Sequence, residues 1–349
     1  MWLMFLWGIG LTAGIVGLYL TWMTLTDFRP AQAINLDIKN NPASILKRDV
    51  LFSVVTFNVG YCGMDAGEDF FMDGGARSRC SSLEQTRTNL KNITNFLAGA
   101  KADLVMLQEV DVKSSRSFRV DELDYLQKNL AGFGTIFAIN YKVPWVPVPL
   151  LRPMGAVKSG LLTFSRYRVR SAVRYSLPGK EAWPRQLAEL DRCCIESRLP
   201  VEGGRELVLL NSHLSAFDQG GRIRKLQLAY LKKRLLAEYE KGNYVIAGGD
   251  WNHGLPGTDP TNFPSTMARP RWYVPLPEDF TPAGFVWALD KTVPTVRSSA
   301  LAYQEGENFL AIIDGFLVSP NVKIHKLAGH GLAFQHSDHN PVSAVFYLE

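Results

Sequence analysis

The chain has 349 residues, 46% of them hydrophobic and 20% charged, which excludes wholesale disorder and suffices for one large domain or two ordinary ones. A net charge of +5 permits an anionic substrate or surface without pointing to nucleic acid. The four cysteines are too few for a disulfide scaffold, and none has the spacing of a zinc site.

Met1 to Thr26 carries no charge. As a helix it would reach about 39 Å, more than the roughly 30 Å hydrocarbon core of a bilayer. Trp2, Trp7 and Trp22 near its ends suit interfacial anchoring. Ala31-Gln32-Ala33 resembles a signal-peptide cleavage site, but the apolar run is long and no basic stretch precedes it, so a retained anchor over residues 1–27 is expected. Arg29, Lys39, Lys47 and Arg48 follow the span and argue by charge for a cytoplasmic domain. A single N-terminal anchor before a large folded domain argues for the other side, and the extracytoplasmic placement is slightly favoured.

Residues 28–49 read as a polar linker, and residues 50–349 as one domain without repeats. Strands are predicted at 51–57, 104–107, 160–165, 169–175, 193–199, 207–210, 244–247, 312–318, 322–327 and 342–347. Ser81-Ser82-Leu83-Glu84 resembles a capping box opening a helix with Leu83, Leu90, Ile93 and Leu97 on one face. A second amphipathic helix covers 221–241, with Leu228, Leu231, Leu235 and Tyr239 together and Gly242 ending it. The Glu202-Gly203-Gly204 turn marks a hairpin. Adjacent Cys193 and Cys194 should point to opposite faces of their strand. Cys62 and Cys80 bracket a Gly/Asp-rich loop, and their pairing in an oxidising compartment is left open. Mixed strands with two or three helices predict an α/β fold in which a two-layered sheet core is covered by helices.

Polar residues collect where strands end: Asn58, Glu109, His213, then Asp250 and Asn252, then Asp338 and His339, with Asp314 inside an apolar strand. Singly, each has an ordinary explanation as a turn residue, a helix cap or a core histidine. Together they mark the strand ends at which open α/β sheets form sites. Asp314 among isoleucines needs a partner for its charge, and a histidine would serve.

The motifs Thr56-Phe57-Asn58-Val59, Leu107-Gln108-Glu109-Val110, Ser212-His213-Leu214, Gly249-Asp250-Trp251-Asn252, Ile313-Asp314-Gly315 and Ser337-Asp338-His339-Asn340-Pro341-Val342 occur in that order. They resemble the endonuclease/exonuclease/phosphatase superfamily, which includes pancreatic-type deoxyribonuclease, abasic-site endonucleases, neutral sphingomyelinases and inositol-phosphate 5-phosphatases. The resemblance runs from about Val50 to Tyr347. It implies a four-layer α/β/β/α sandwich of two mixed sheets, here preceded by the N-terminal hydrophobic helix. It also implies hydrolysis of a phosphoester, with Glu109, Asn58 and Asp338 at a Mg²⁺ ion, for which Mn²⁺ or Ca²⁺ could substitute. His339 is then general base or electrostatic partner oriented by Asp314, Asp250 positions or deprotonates the water, and Asn252 and His213 donate to phosphate oxygens.

Two stretches bear on substrate. The acidic loop 60–75 either repels a nucleic-acid backbone or is a surface cover. In Tyr141 to Leu151 the prolines forbid a regular central strand, and Trp145, Val146, Val148, Leu150 and Leu151 form either a core-packed connection, which is favoured, or a lip for a bilayer or acyl chain. Arg77, Arg79, Arg116, Arg119, Arg152 and Lys158 are candidate anion contacts. The expectation is a monomeric, membrane-anchored phosphoesterase acting on a lipid-linked or small phosphoester. The alternatives are a nuclease of the same fold and a catalytically silent binding module.

Overall fold

Two strand–helix–strand crossovers organise the molecule, one at the heart of each of two sheets. The computed structural model describes residues 2–349. In chain order the elements are α1 (Trp2–Thr26), β1 (Ala33–Asn35), β2 (Phe52–Asn58), α2 (Leu83–Ala100), β3 (Leu104–Asp111), α3 (Glu122–Asn129), β4 (Gly134–Val146), β5 (Gly155–Ser165), β6 (Ser171–Ser176), β7 (Cys193–Pro200) and β8 (Glu206–His213). They continue with α4 (Arg222–Glu240), β9 (Tyr244–Asp250), β10 (Val286–Ala288), β11 (Val296–Arg297), β12 (Leu310–Ala311), β13 (Asp314–Val318), β14 (Val322–Gly329) and β15 (Val342–Leu348).

A six-stranded sheet has the order β14-β15-β2-β3-β5-β4, and a seven-stranded sheet the order β1-β6-β7-β8-β9-β13-β10. In the first, only β2 and β3 are parallel, joined through α2; in the second, only β8 and β9, joined through α4. Such crossovers bring the C-terminal ends of the parallel strands to one edge. The two sheets face each other across a core of Phe52, Val54 and Met106 from one and Ile195, Ile246 and Phe316 from the other. Their outer faces are covered by α2 and α3, through Leu90, Ile93, Leu97 and Leu126, and by α4, through Leu228, Leu231 and Leu235. This is the expected four-layer α/β/β/α sandwich.

Local chemistry explains the boundaries. Ser82 caps α2 by accepting from the Gln85 N–H, and Gly242 at φ 82° closes α4. Leu83 is 37% exposed and does not share the buried face expected for it, because it opens the first turn on the solvent side. Cys193 packs between the sheets and Cys194 beneath α4, as alternation requires. All four cysteines are buried with free thiols, Cys62 and Cys80 included.

Two features differ from expectation. Strand β3 runs past Glu109 through a bulge between Leu107 and Val110, where the sequence shows only a strand end. Asp314 is the first residue of β13 and not an interior one, since Ile312 and Ile313 lie outside the strand. Pro144 lies inside β4, an edge strand, in keeping with the expected exclusion of these prolines from a central strand. Residues 28–49 are attached to both sheets, through β1 on β6, Lys39 bridged to Thr135, and Leu46 buried against Pro200 and Val201.

Candidate active site

The paired strand ends place the polar residues of the sequence motifs in one cavity. Across the seven-stranded sheet, His213, Asp250 and Asp314 are direct neighbours on β8, β9 and β13. The row depends on Gly249 at φ 132°, where a Cβ would stand 2.0 Å from the Ser212 carbonyl oxygen. Trp251, fully buried, donates from Nε1 to Gly315 O at 3.1 Å and packs on Trp287, fixing the turn behind Asp250. From the six-stranded sheet come Asn58 at the end of β2 and Glu109 on the β3 bulge. Glu109 has φ 58°, a conformation that L-residues adopt only when the surroundings impose it. The segment before β15 brings Asp338 and His339, pinned where Arg297 N–H donates to Asp338 O and Asn340 N–H to Thr295 O.

The contacts are short and buried. His339 Nδ1 lies 2.8 Å from Asp314 Oδ2, and its Nε2 is 3.8 Å from Asp250 Oδ2. Burial works to lower the His339 pKa, but Asp314 and Asp250 outweigh it and push it up to about 10, so the ring is held as an imidazolium. Burial raises the Asp250 carboxyl to about 7, with His339 opposing and Asp314 reinforcing the shift. His213 Nε2 is 3.3 Å from Asp250 Oδ2, its Nδ1 has no protein partner, and burial followed by the Arg192 charge holds its pKa well below the ordinary value. Asn58 Nδ2 donates to Asp250 Oδ2 at 3.1 Å and to Glu109 Oε1 at 3.3 Å, while its Oδ1 accepts from Gly60 N–H. Asn252 Nδ2 donates to Leu214 O at 2.7 Å, leaving its second amide hydrogen free to face a ligand.

The carboxylates of Glu109 and Asp338 are oxygen donors of the kind a hard divalent cation takes, and Asn58 stands beside them with its amide nitrogen turned to Glu109. Burial raises the Glu109 pKa; Arg116 opposes this and Asp338 adds to it. Gly60, at φ 50°, leaves room beside the set, since a Cβ there would stand 2.9 Å from Asp338 Oδ1. Ligating atoms of Asp250, Asp314 and His339 also lie within 4.8 Å of one another, but Asp314 is already committed to the His339 ring.

The cavity, of about 370 Å³, is lined by Glu109, His213, Asp250, Asn252, Asp338 and His339 on one side and by Phe70, Phe71, Val146, Val148 and Met154 on another. Asn58 and Asp314 stand behind that lining. Of the basic residues singled out from sequence, only Arg116 lines the cavity; Arg77 pairs with Glu68, and Arg119, Arg152 and Lys158 are exposed outside it. Arg116 bonds both oxygens of Asp111, stands 3.8 Å from Glu109 Oε2 and stacks on Tyr61.

Arg192 was not foreseen. It lines the cavity just before β7 with Nη1 buried and without a protein partner, an atom available to a phosphate oxygen. The only sequence signal was a charge abutting a strand.

The acidity of loop 60–75 is largely used internally. Asp65 accepts from Asn89 and Gly67, Glu68 from Ser81 N–H and Arg77, and Asp69 from the Ala76 and Arg77 N–H groups. The buried Arg297 guanidinium binds the carbonyls of Met64, Asp65 and Glu68 and clamps the loop to β11. Its contribution to the cavity is mainly apolar, through Phe70, Phe71 and Met72, with Asp73 the one carboxylate of the loop in the lining, so it is neither a free acidic screen nor a cover set apart from the cavity.

A profile of the Endonuclease/Exonuclease/phosphatase family matches residues 55–339. The chain belongs to this family. As a member it is a phosphoester hydrolase, and the site's donors suit the divalent-cation dependence typical of the family. Among solved structures, an endonuclease/exonuclease/phosphatase protein from Beutenbergia cavernae has 17% identity and a TM-score of 0.56, over 85% of this chain and 72% of that one. A counterpart from Bacteroides vulgatus has 17% identity and a TM-score of 0.54, over 86% and 100%. TDP2 from D. rerio, complexed with a single-strand DNA product, has 15% identity and a TM-score of 0.53, over 85% and 99%. At these identities the family fold is what they share. No curated protein matches by sequence.

Proposed function

We propose that the chain is a membrane-anchored, divalent-cation-dependent phosphoesterase that splits a phosphodiester or phosphomonoester, lipid-linked or small and soluble, by attack of water. The observation that carries this is the His213–Asp250–Asp314 row facing His339, with Glu109, Asn58 and Asp338 beside it. Those last three residues are assigned to hold Mg²⁺ or a substitute cation, which when bound supplies Lewis-acid polarisation of a phosphoryl oxygen. Asp250 accepts the proton of the attacking water, and a carboxyl raised to about 7 is suited to that near neutral pH. Asp314 fixes the His339 ring and keeps it charged, so Nε2 donates to the phosphoryl oxygens as negative charge builds. His339 is therefore read as the electrostatic partner and not the base. Asn252 and His213, joined by Arg192, complete the phosphate contacts.

Helix α1 is 25 residues long and apolar enough to cross a membrane, and residues 1–27 are assigned as the anchor of the catalytic unit 50–349. Its retention is supported by the pairing of Gln32 and Ala33 with β6, which cleavage at Ala31-Gln32-Ala33 would sever. The catalytic unit is placed on the extracytoplasmic side, as a monomer. A nuclease of the same fold is the second reading, supported by the DNA-bound fold neighbour, and the net charge of +5 is compatible with it.

The test is turnover by the full chain in mild detergent with Mg²⁺, offered a sphingomyelin-like lipid, an inositol phosphate, plasmid DNA and a chromogenic phosphodiester. Cleavage of DNA alone would transfer the proposal to the nuclease reading. No cleavage of any member would remove it.

A further inference from the structure

The end of α1 does not leave the catalytic unit at an arbitrary place. Met23 is 1% exposed in a cluster with Tyr141, Val146 and Met154, the same side chains that wall the cavity. Tyr19 Oη donates to Trp145 O at 2.9 Å, and Trp183 Nε1 donates to Thr24 Oγ1 at 3.3 Å. A span of about 20 residues crosses the hydrocarbon core, so one counted from Trp2 ends near Thr21. Tyr19 to Thr24 covers only about 7.5 Å of helix. The loops these residues hold therefore lie at the depth where a bilayer's hydrocarbon gives way to headgroups.

Those loops carry side chains suited to that depth. Trp145, Trp183 and Trp22 are 38%, 62% and 44% exposed, and tyrosine and tryptophan concentrate at membrane interfaces. In the turn between β4 and β5, Leu150 and Leu151 are 86% and 95% exposed, and Val148, which lines the cavity, is 46% exposed. The core-packed connection expected from sequence is met by Tyr141, Val143 and Val146, which are buried, and not by Val148, Leu150 and Leu151. Arg152, exposed and without a carboxylate partner, follows the two leucines and suits anionic headgroups, whereas Arg185 is paired with Glu189 and Glu181.

We propose that Trp145, Val148, Leu150, Leu151 and Trp183 form a lip that seats in the bilayer interface beside α1. The lip holds the cavity mouth against the membrane, so that a lipid phosphoester enters directly from it. Phe70, Phe71 and Val148 then meet the apolar part of the lipid while its phosphate reaches the polar side of the cavity. The proposal rests on the anchored phosphoesterase reading above.

Its test uses the full chain reconstituted in vesicles of zwitterionic and anionic phospholipids. Leu151→Cys carries a polarity-sensitive fluorophore, which is selective because the native cysteines are buried. Glu202→Cys, in the hairpin at the opposite end of β8 from His213, is the control. The expected result is blue-shifted emission, quenching by nitroxide lipids and protection from iodide at 151, with none of these at 202. Equal iodide access at the two positions would overturn the proposal. L150E/L151E should lower kcat/KM on a vesicle-embedded phosphodiester by on the order of 10-fold, through the lost apolar insertion, and leave a soluble chromogenic phosphodiester unaffected. Equal loss on both substrates, or on neither, would overturn it. The fluorescence measurement needs no turnover, so a chain inactive on every phosphoester would refute the phosphoesterase reading while the bilayer contact was still read independently.

Discussion

His339 and Asp314, 25 residues apart in sequence, meet at 2.8 Å between Nδ1 and Oδ2, with both side chains buried. The contact fixes the ring so that Nε2 faces the cavity and Asp250. Asp314→Asn would keep the shape and remove the charge that sustains the imidazolium. Turnover of a chromogenic phosphodiester should fall by about 10²–10⁴-fold with KM changed far less. An unchanged circular dichroism spectrum would show that the fold persists.

Glu109→Gln removes one carboxylate from the assigned cation site while retaining its size. Calorimetric titration should show Mg²⁺ or Mn²⁺ affinity weakened by on the order of 10-fold or more, with activity partly restored at high cation concentration. Unchanged affinity would place the cation elsewhere.

Gly249→Ala would drive a methyl group into the Ser212 carbonyl oxygen at a backbone angle that disfavours any side chain. The parallel β8–β9 contact cannot widen without moving His213 and Asp250 apart. Thermal unfolding should show a loss of about 3 kcal/mol or more, or no soluble protein.

His253 is buried with Nδ1 on Trp251 O at 2.7 Å, and burial lowers its pKa from 6.5 to about 4. The unfolded chain therefore takes up a proton on this residue below pH 6.5 that the folded chain refuses until about pH 4. Stability contributed by the neutral ring is full above pH 6.5, is lost as pH falls toward 4, and changes no further below that. Denaturant unfolding of the native chain and of His253→Gln across that window should show the steeper decline in the native chain, by on the order of 2–3 kcal/mol.

The sandwich was legible because both crossover helices and most strands carry strong periodicity: Leu228, Leu231 and Leu235 mark α4, and 51–57 and 342–347 are unmistakable strands. The site residues were legible through their motifs, since Asn58, His213 and Asp250 do end strands. Ile312 and Ile313 extend the apolar run ahead of Asp314 in sequence, yet they lie outside β13 and pack in two separate clusters. The β3 bulge was invisible because Glu109 looks like any residue following a strand; only its φ shows the redirection. Loop acidity misled because composition does not reveal that Arg297, distant in sequence, clamps the loop from behind. Exposure of Leu150 and Leu151 likewise depends on which edge of the sheet β4 occupies, which no local pattern encodes.

One cation-dependent site, built around His339 and its partners, is proposed to hydrolyse phosphoesters. The most direct measurement is phosphodiester turnover by the full chain and by His339→Ala, each with Mg²⁺ and again after chelation with EDTA. EDTA should abolish turnover by the native chain and added Mg²⁺ restore it, and the variant should lose about 10²–10³-fold with Mg²⁺ present. Turnover that survives both chelation and the loss of His339 would contradict the proposal.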